Sequence, residues 1–103
     1  MAGDDESGDG AIIYDRRAVM PSGAIVEVFA RRADPGEYAG DVKYRLHYGF
    51  PVEDHPIVRY DNAHGHHERH EGEERTEIEF PGAEELRDRF LAEVTRHERT
   101  HDH

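Results

Sequence analysis

The sequence has no cysteine and no tryptophan, and Lys43 is its single lysine. Without cysteine, the chain can form neither a disulfide framework nor a thiolate metal site. No apolar run approaches the roughly 18 residues that a membrane-spanning helix needs. Residues 1–10 are acidic and glycine-rich, and they lack the basic and apolar stretches of a secretory signal. We therefore expect a cytoplasmic protein with no membrane partner.

Basic residues are also scarce: the sequence has 13 of them and 24 acidic residues, and its net charge is −11. An acidic surface repels nucleic acid in dilute buffer. The preference for arginine over lysine instead favours a halophilic protein, whose acidic coat keeps it solvated in concentrated salt. The Debye length is only about 3 Å at 1 M salt, so the net charge then says little about partners. The positions of the few cations are more informative.

A chain of 103 residues is long enough for one small core. We predict a disordered acidic leader over residues 1–10, a single domain over residues 11–98 and a frayed tail over residues 99–103. Apolar and polar residues alternate in several segments, as they do in half-buried strands. The predicted strands are residues 11–20, 24–32, 41–50, 57–61 and 75–80, with a polar loop over residues 62–72.

The period changes to three and four residues from Ala83 onward, which indicates an amphipathic helix. The sequence therefore predicts an α+β fold, with a small antiparallel sheet of about five strands and one C-terminal helix packed on one face. The other face would be open or would pair with another chain, as in a homodimer. The predicted apolar stripe of the helix consists of Ala83, Leu86, Phe90, Leu91, Val94 and His97.

The strand at residues 41–50 is the clearest, because aromatic and aliphatic residues occupy every second position. Lys43, Arg45 and His47 alternate with them and form a cationic strip on the opposite face. Such a strip is unexpected in so acidic a protein. It could bind phosphate groups, or it could simply pair with glutamates on a neighbouring strand, such as Glu27.

The segment from Arg59 to His70 reads R-Y-D-N-A-H-G-H-H-E-R-H and contains four of the nine histidines. Asp61, Asn62 and Gly65 predict a turn at the end of a strand. Histidine titrates near neutral pH, so this cluster could perform general acid–base chemistry. It could also bind a divalent metal, or it could be a solvated loop without chemistry. We expect no metal and no cofactor, because the histidines lack helical spacing and there is no thiolate to complete a site.

The acid–base interpretation is that of a metal-independent ribonuclease. Such an enzyme needs a base for the 2′-hydroxyl, an acid for the leaving oxygen and a cation for the phosphate. The predicted phosphate-binding residues are Lys43, Arg45 and His47, with an aromatic residue such as Tyr60 to stack a base. The predicted catalytic residues are Arg59, Tyr60, Asp61, His64, His67 and His70, with Asp61 orienting a histidine and with Asn62 and Gly65 shaping the turn.

Two motifs resemble those of a known family. Y-R-L at Tyr44 to Leu46, preceded by Val42-Lys43, is similar to a strand of the TumE family, and R-Y-D-N at Arg59 to Asn62, followed by histidines, resembles its signature block. The resemblance covers about residues 11–98, although Glu68 stands where a more basic stretch is expected. It implies the toxin of a type II toxin–antitoxin module, neutralised by a co-encoded antitoxin that is typically a small helix-turn-helix protein.

The resemblance does not itself imply a reaction. Three interpretations therefore stay open: a ribonuclease acting on cellular RNA, a non-enzymatic binding module or inactive relative, and a metalloprotein whose histidine loop holds an ion.

Overall fold

The computed structural model describes residues 11–34, 42–63 and 65–101. The predicted leader, residues 1–10, lies outside them. Each strand pairs with the next one along the chain, so the sheet order equals the chain order. All five pairings are antiparallel. The elements are β1 Ile12–Val19, β2 Ile25–Arg32, β3 Val42–Gly49, β4 Val58–Asp61, β5 Glu68–Glu71, β6 Glu74–Glu77 and α1 Ala83–His101.

The predicted α+β class and the single C-terminal helix are confirmed, but the sheet has six strands rather than about five. The prediction of a loop over residues 62–72 is wrong for its second half, where β5 lies. This strand reads E-R-H-E and has no apolar residue, so it lacks the alternation by which strands are recognised. Gly72, with a φ of +59°, lies in the two-residue turn that connects Glu71 to its partner Glu74.

The core lies between one face of the sheet and α1, which packs over β2, β3 and β4. Strand alternation supplies Val28, Leu46 and Tyr60 to this face, and Phe90 of α1 is fully buried against them. Burial of one such side chain stabilises the fold by about 1.5–3 kcal/mol. The remaining buried apolar residues of the cluster are Ala24, Val26, Ala30, Tyr44, Tyr48, Val58, Leu86 and Val94.

Hydrogen bonds to Glu98 attach the end of the helix to the sheet. Its carboxylate accepts from the Tyr48 hydroxyl at 2.6 Å and from the Ser22 hydroxyl at 2.5 Å. The helix extends past the predicted domain end at residue 98 and reaches His101. No helix in the described ranges combines the length and apolar character that a membrane crossing needs.

β1 is an edge strand that α1 leaves largely uncovered. Its residues are exposed apart from Tyr14, which is half-buried. A groove of about 800 Å³ separates the helix-facing side of β1 from α1, and its floor includes Val26 and Val28. Within the described residues no helix covers the second face of the sheet. We call this second face the open face.

Candidate functional site

Strand alternation divides the predicted site residues between the two faces of the sheet. Tyr60 is buried on the helix side, whereas its neighbours Arg59 and Asp61 point to the open face. The strip on β3 also points there, because it alternates with the buried Tyr44, Leu46 and Tyr48. The open face therefore brings together Lys43, Arg45, His47, Arg59, Asp61 and His70.

Two histidines flank an arginine in one row across this face. His47 of β3 lies opposite Arg59 of β4, and Arg59 lies opposite His70 of β5. Neighbouring strands are about 4.8 Å apart, so the two histidines are separated by roughly 10 Å of sheet with the guanidinium between them. This row brings together two groups that can transfer protons and one permanent cation.

The next row along the strands consists of Arg45, Asp61 and Glu68, with Asp61 opposite both of the others. The Arg59 Nε donates to Asp61 Oδ2 at 2.8 Å. His70 Nε2 lies 3.7 Å from Asp61 Oδ2 and 3.4 Å from Glu68 Oε1, and it is buried without a hydrogen-bond partner. Asp61 therefore lies close to His70, while it accepts hydrogen bonds from Arg59 and, at 3.3 Å, from the Ala63 N–H.

Glu68 is the site residue that the sequence prediction missed. It is 4% exposed, its Oε2 lies 2.7 Å from His66 Nε2, and Arg75 lies 3.8 Å away. Burial would raise the pKa of this carboxyl, but the hydrogen bond from His66 and the charges of Arg75, His66 and His70 outweigh burial and lower it. The sequence does contain a signal for this placement. Glu68 and His70 are two residues apart, as Arg59 and Asp61 are, and residues two apart on a strand share a face.

The surroundings of His47 lower its pKa and so favour its neutral form. Burial is the main reason why its pKa is lowered, and the positive charges of Arg59 and Arg45 lower it further. Glu27 lies opposite His47 on β2 and opposes this shift. Glu27 also forms a 3.4 Å ion pair with Arg17 of β1. The cationic strip therefore has a glutamate beside it on β2, and that glutamate also pairs with β1.

The hydroxyl of Tyr60 belongs to a network on the helix side. It donates to Glu93 of α1, and Arg69 donates both to Glu93 and, at 3.2 Å, to the Tyr60 oxygen. Burial and the contact with Glu93 raise the pKa of Tyr60 to about 12. The Tyr60 side chain therefore faces away from Arg59, although the two were grouped as catalytic residues.

His67 also lies on the helix side. Its ring stacks against Phe80 with centroids 4.5 Å apart, and its Nδ1 is 2.8 Å from the Tyr44 hydroxyl. Burial, followed by the charge of His66, lowers its pKa. His67 and His70, the two described histidines assigned to catalysis, are thus on opposite faces of the sheet, and His64 lies outside the described residues.

Asn62 and Gly65 shape the end of β4. The Asn62 amide accepts from the Tyr44 N–H at 3.2 Å and donates to the Val42 carbonyl, so it extends the pairing of β4 with β3. Gly65 has a φ of +88°, and its N–H donates to the Asn62 carbonyl at 3.3 Å. A fully buried Asn62 therefore fixes the strand that carries Arg59 and Asp61.

One group of side chains in the described part of the chain could hold a metal ion. Asp61, Glu68 and His70 each offer a ligand atom, and these atoms lie within 4.8 Å of one another. Carboxylate oxygens and imidazole nitrogen are ligands that Zn²⁺ accepts.

The comparison with known proteins identifies the family. The model of the family described as Toxin TumE matches residues 4–98. The chain belongs to the TumE toxin family. No curated protein and no solved structure shows significant similarity to it.

Membership in the TumE family confirms the resemblance read from the two motifs, and it indicates a toxin of a toxin–antitoxin system with an antitoxin as its partner. Both TumE-like motifs fall on the central strands: Tyr44 to Leu46 on β3 and Arg59 to Asp61 on β4. These are the strands that build the open face described above.

Proposed function

We propose that this TumE toxin is a metal-independent ribonuclease that acts on cellular RNA, with its active site on the open face of the sheet. The observation that carries the proposal is the row formed by His47, Arg59 and His70 on three neighbouring strands. The row contains the three group types that RNA cleavage by internal transesterification requires, and it lies beside the cationic residues Lys43 and Arg45.

The reaction assigns one role to each member of the row. His47, whose lowered pKa favours the neutral form, takes the proton of the 2′-hydroxyl. The 2′-oxygen then attacks the adjacent phosphorus, and the bond to the 5′-oxygen breaks as that oxygen receives a proton from His70. Arg59 lies between them and stabilises the charge that develops on the phosphate oxygens. The products are a cyclic phosphate and a free 5′-hydroxyl.

The environment of His70 suits a role as the acid. Its Nε2 is buried and faces Asp61 and Glu68, so the nitrogen that exchanges a proton with RNA would be Nδ1. The two carboxylates lie beside this ring, as the carboxylate of a Ser-His-Asp triad lies beside its histidine.

Cleavage of a labelled oligoribonucleotide in EDTA tests this assignment. Loss of one general acid or base typically slows a reaction by about 10²–10⁴-fold, so we expect reductions of that size for His47→Gln and His70→Gln. His55→Gln is the matched control, because His55 is exposed in the segment before β4 and its contact with Glu73 is long, at 4.0 Å. Activity of both site variants at the wild-type level would reject the assigned acid and base.

Expression in cells without the antitoxin completes the test. Growth arrest with degraded RNA supports the ribonuclease. Growth arrest with intact RNA would reject RNA cleavage and would favour a toxin that acts by binding a partner.

A metal centre is a second candidate, and the position of His70 favours it. Ligand bonds of about 2.1 Å in a tetrahedral zinc site place the ligand atoms about 3.4 Å apart. The distances from His70 Nε2 to Glu68 and Asp61 are 3.4 and 3.7 Å. Metal analysis of untagged protein, purified without a nickel column, distinguishes the two candidates. One equivalent of metal that is lost in Asp61→Asn, together with EDTA-sensitive activity, would replace the metal-independent mechanism.

We further propose that the antitoxin is a small helix-turn-helix protein. Co-expression of the toxin with a neighbouring gene product of that type should restore growth. Light scattering on the purified complex and on the toxin alone then gives the stoichiometry and shows whether the toxin is a homodimer. Rescue by a neighbour of another fold would contradict the proposed antitoxin type.

The charge of −11 is proposed to be an adaptation to a salt-rich cytoplasm. At high ionic strength the repulsion between acidic groups is screened, so the free energy of unfolding should rise between 0.1 M and 2 M KCl. Full stability and activity in dilute buffer would contradict a halophilic origin.

A further inference from the structure

An aromatic side chain lies among the charges of the open face. Phe29 of β2 alternates with the buried Val28 and Ala30, so its ring points away from the helix. It lies opposite Arg45 on β3 and opposite Asp15 on β1, and it is half-buried. Among the described phenylalanine and tyrosine residues on strands, Phe29 is the one that faces this side of the sheet.

The ring of Phe29 forms one wall of a cleft of about 230 Å³. This volume is below the roughly 300 Å³ at which pockets for drug-sized ligands begin, and it suits one planar group better than a large ligand. The cleft opens beside the proposed catalytic row, because Arg59 is among its lining residues. The other residues that line it are Lys43, Tyr44, Arg45, Asp61 and Ala63.

We propose that Phe29 is a stacking platform for one unpaired base of a single-stranded RNA, with Lys43 and Arg45 binding the adjoining phosphates. This inference rests on the proposed function and assigns its substrate class and the subsite that orients it. Flat aromatic rings beside cationic side chains on an open sheet face are how proteins bind single strands, since every base offers a π-face. Tyr60, the aromatic expected from the sequence, is buried on the other face and leaves this role to Phe29.

An unpaired base suits this platform better than a paired one. Bases in a duplex are already stacked on their neighbours, and proteins read double-stranded RNA by shape and backbone contacts instead. A single strand can place one base on Phe29 while its backbone crosses β3 toward β4, the strand that carries Arg59, which is about two strand spacings, or roughly 10 Å, away.

Binding of a fluorescent 2′-O-methyl RNA octamer tests the platform, because this probe has no 2′-hydroxyl and cannot be cleaved. Base stacking contributes about 1–3 kcal/mol, so Phe29→Val should raise Kd by about 5- to 150-fold. Phe29→Tyr keeps a ring and should bind within about twofold of wild type. Valine retains the strand preference, and a urea titration of each variant verifies that the fold is intact.

A duplex of the same sequence is the second probe. Wild type and Phe29→Val should bind it with equal affinity, since the platform needs an unpaired base. The proposal is overturned if Phe29→Val binds the single strand as wild type does, if it loses both probes equally, or if Phe29→Tyr weakens binding as much as Phe29→Val.

Cleavage of an unmodified octamer, measured in parallel, separates this proposal from the proposed function. Wild-type cleavage with binding that does not depend on Phe29 would reject the platform and keep the ribonuclease. Binding that depends on Phe29, without any cleavage, would keep the platform and reject the ribonuclease.

Discussion

The two faces of β4 and β5 carry similar polar groups in different settings. On the helix side, Glu93 of α1 accepts hydrogen bonds from Tyr60 and Arg69. Glu93 and Tyr60 are buried, and Arg69 is partly exposed. On the open side, Arg59 is paired with Asp61, but the buried Nε2 of His70 makes no hydrogen bond although two carboxylates lie within 4 Å. The carboxylate of Glu93 is therefore satisfied within the fold, whereas the open side leaves the buried Nε2 of His70 unsatisfied beside two carboxylates.

This difference separates polar clusters that stabilise the fold from those that are candidates for chemistry. A buried group whose hydrogen bonds are satisfied contributes to stability and specificity of the fold. A cluster that keeps an unsatisfied atom beside an open surface is a better candidate for chemistry. We therefore expect substitutions on the helix side to change stability alone and substitutions on the open side to change activity.

The largest effect on stability should follow from Glu93→Ala. This change removes the carboxylate that pairs with Arg69 and leaves a largely buried guanidinium without it, which should lower the free energy of unfolding by about 3 kcal/mol. Chemical denaturation measures the loss, and RNA cleavage per folded molecule should remain at the wild-type level. The control is Glu85→Ala, because Glu85 is exposed on the same helix and pairs with Arg89 at 3.7 Å; its cost should be below about 0.5 kcal/mol.

Equal stability losses for the two helix variants would mean that the network with Arg69 contributes little. Loss of activity in folded Glu93→Ala would show that the two faces are coupled, which contradicts the division drawn above.

Asn62→Ala should have the next largest effect, and it should affect both faces. It removes the partners of the Tyr44 N–H and the Val42 carbonyl, so about 2 kcal/mol of stability should be lost. Activity should also fall, because Asn62 positions the end of β4 next to Asp61. Denaturation and cleavage assays measure the two effects, and a variant with full activity would show that the open face does not depend on this anchor.

Gly65→Ala should have a smaller effect. Gly65 has a φ of +88° and nothing within 4 Å of the position that a Cβ would take, so the expected loss of about 1 kcal/mol is backbone strain without a clash. The thermal midpoint should fall by a few degrees while cleavage is unchanged. An unchanged midpoint would mean that the turn between β4 and β5 adopts another conformation.

The sequence was sufficient for the elements in which apolar residues alternate. The run from Val42 to Tyr48 and the stripe of α1 are recognisable because water drives those residues into one core. β5 could not be recognised, since its inward residue is Arg69 and its stabilising contact is with Glu93, more than twenty residues away in sequence. A strand that is held by polar partners leaves no periodic apolar signal.

The candidate site was predictable in composition and only partly in geometry. Arg59 and Asp61 are two residues apart and share a face, whereas Tyr60 between them must face the other way, and this follows from strand alternation alone. The separation of His67 from His70 could not be foreseen while both were assigned to a loop. In the structure His67 stacks on Phe80 at the helix side, and His70 faces Asp61.

The pH dependence of stability offers the finest distinction between the two faces. Burial lowers the pKa of both His67 and His47 below the ordinary value near 6.5. The unfolded chain therefore binds protons that the native protein does not, and stability should fall as the pH decreases below about 6.5. Glu68 and Glu93 also have lowered pKa values, but their contribution is lost only below the ordinary carboxyl value near 4.5.

The variant His67→Gln shows how much His67 contributes to the pH dependence of stability. The decrease in the free energy of unfolding between pH 7.5 and pH 5 should be smaller in His67→Gln than in wild type, and unchanged in the control His55→Gln. The pH profile of RNA cleavage should stay that of wild type in His67→Gln, because the ring lies on the helix side, and should be altered in His47→Gln, because that ring belongs to the catalytic row. If the cleavage profile shifts with His67 and not with His47, the acid–base chemistry lies on the helix side and the active site has been assigned to the wrong face.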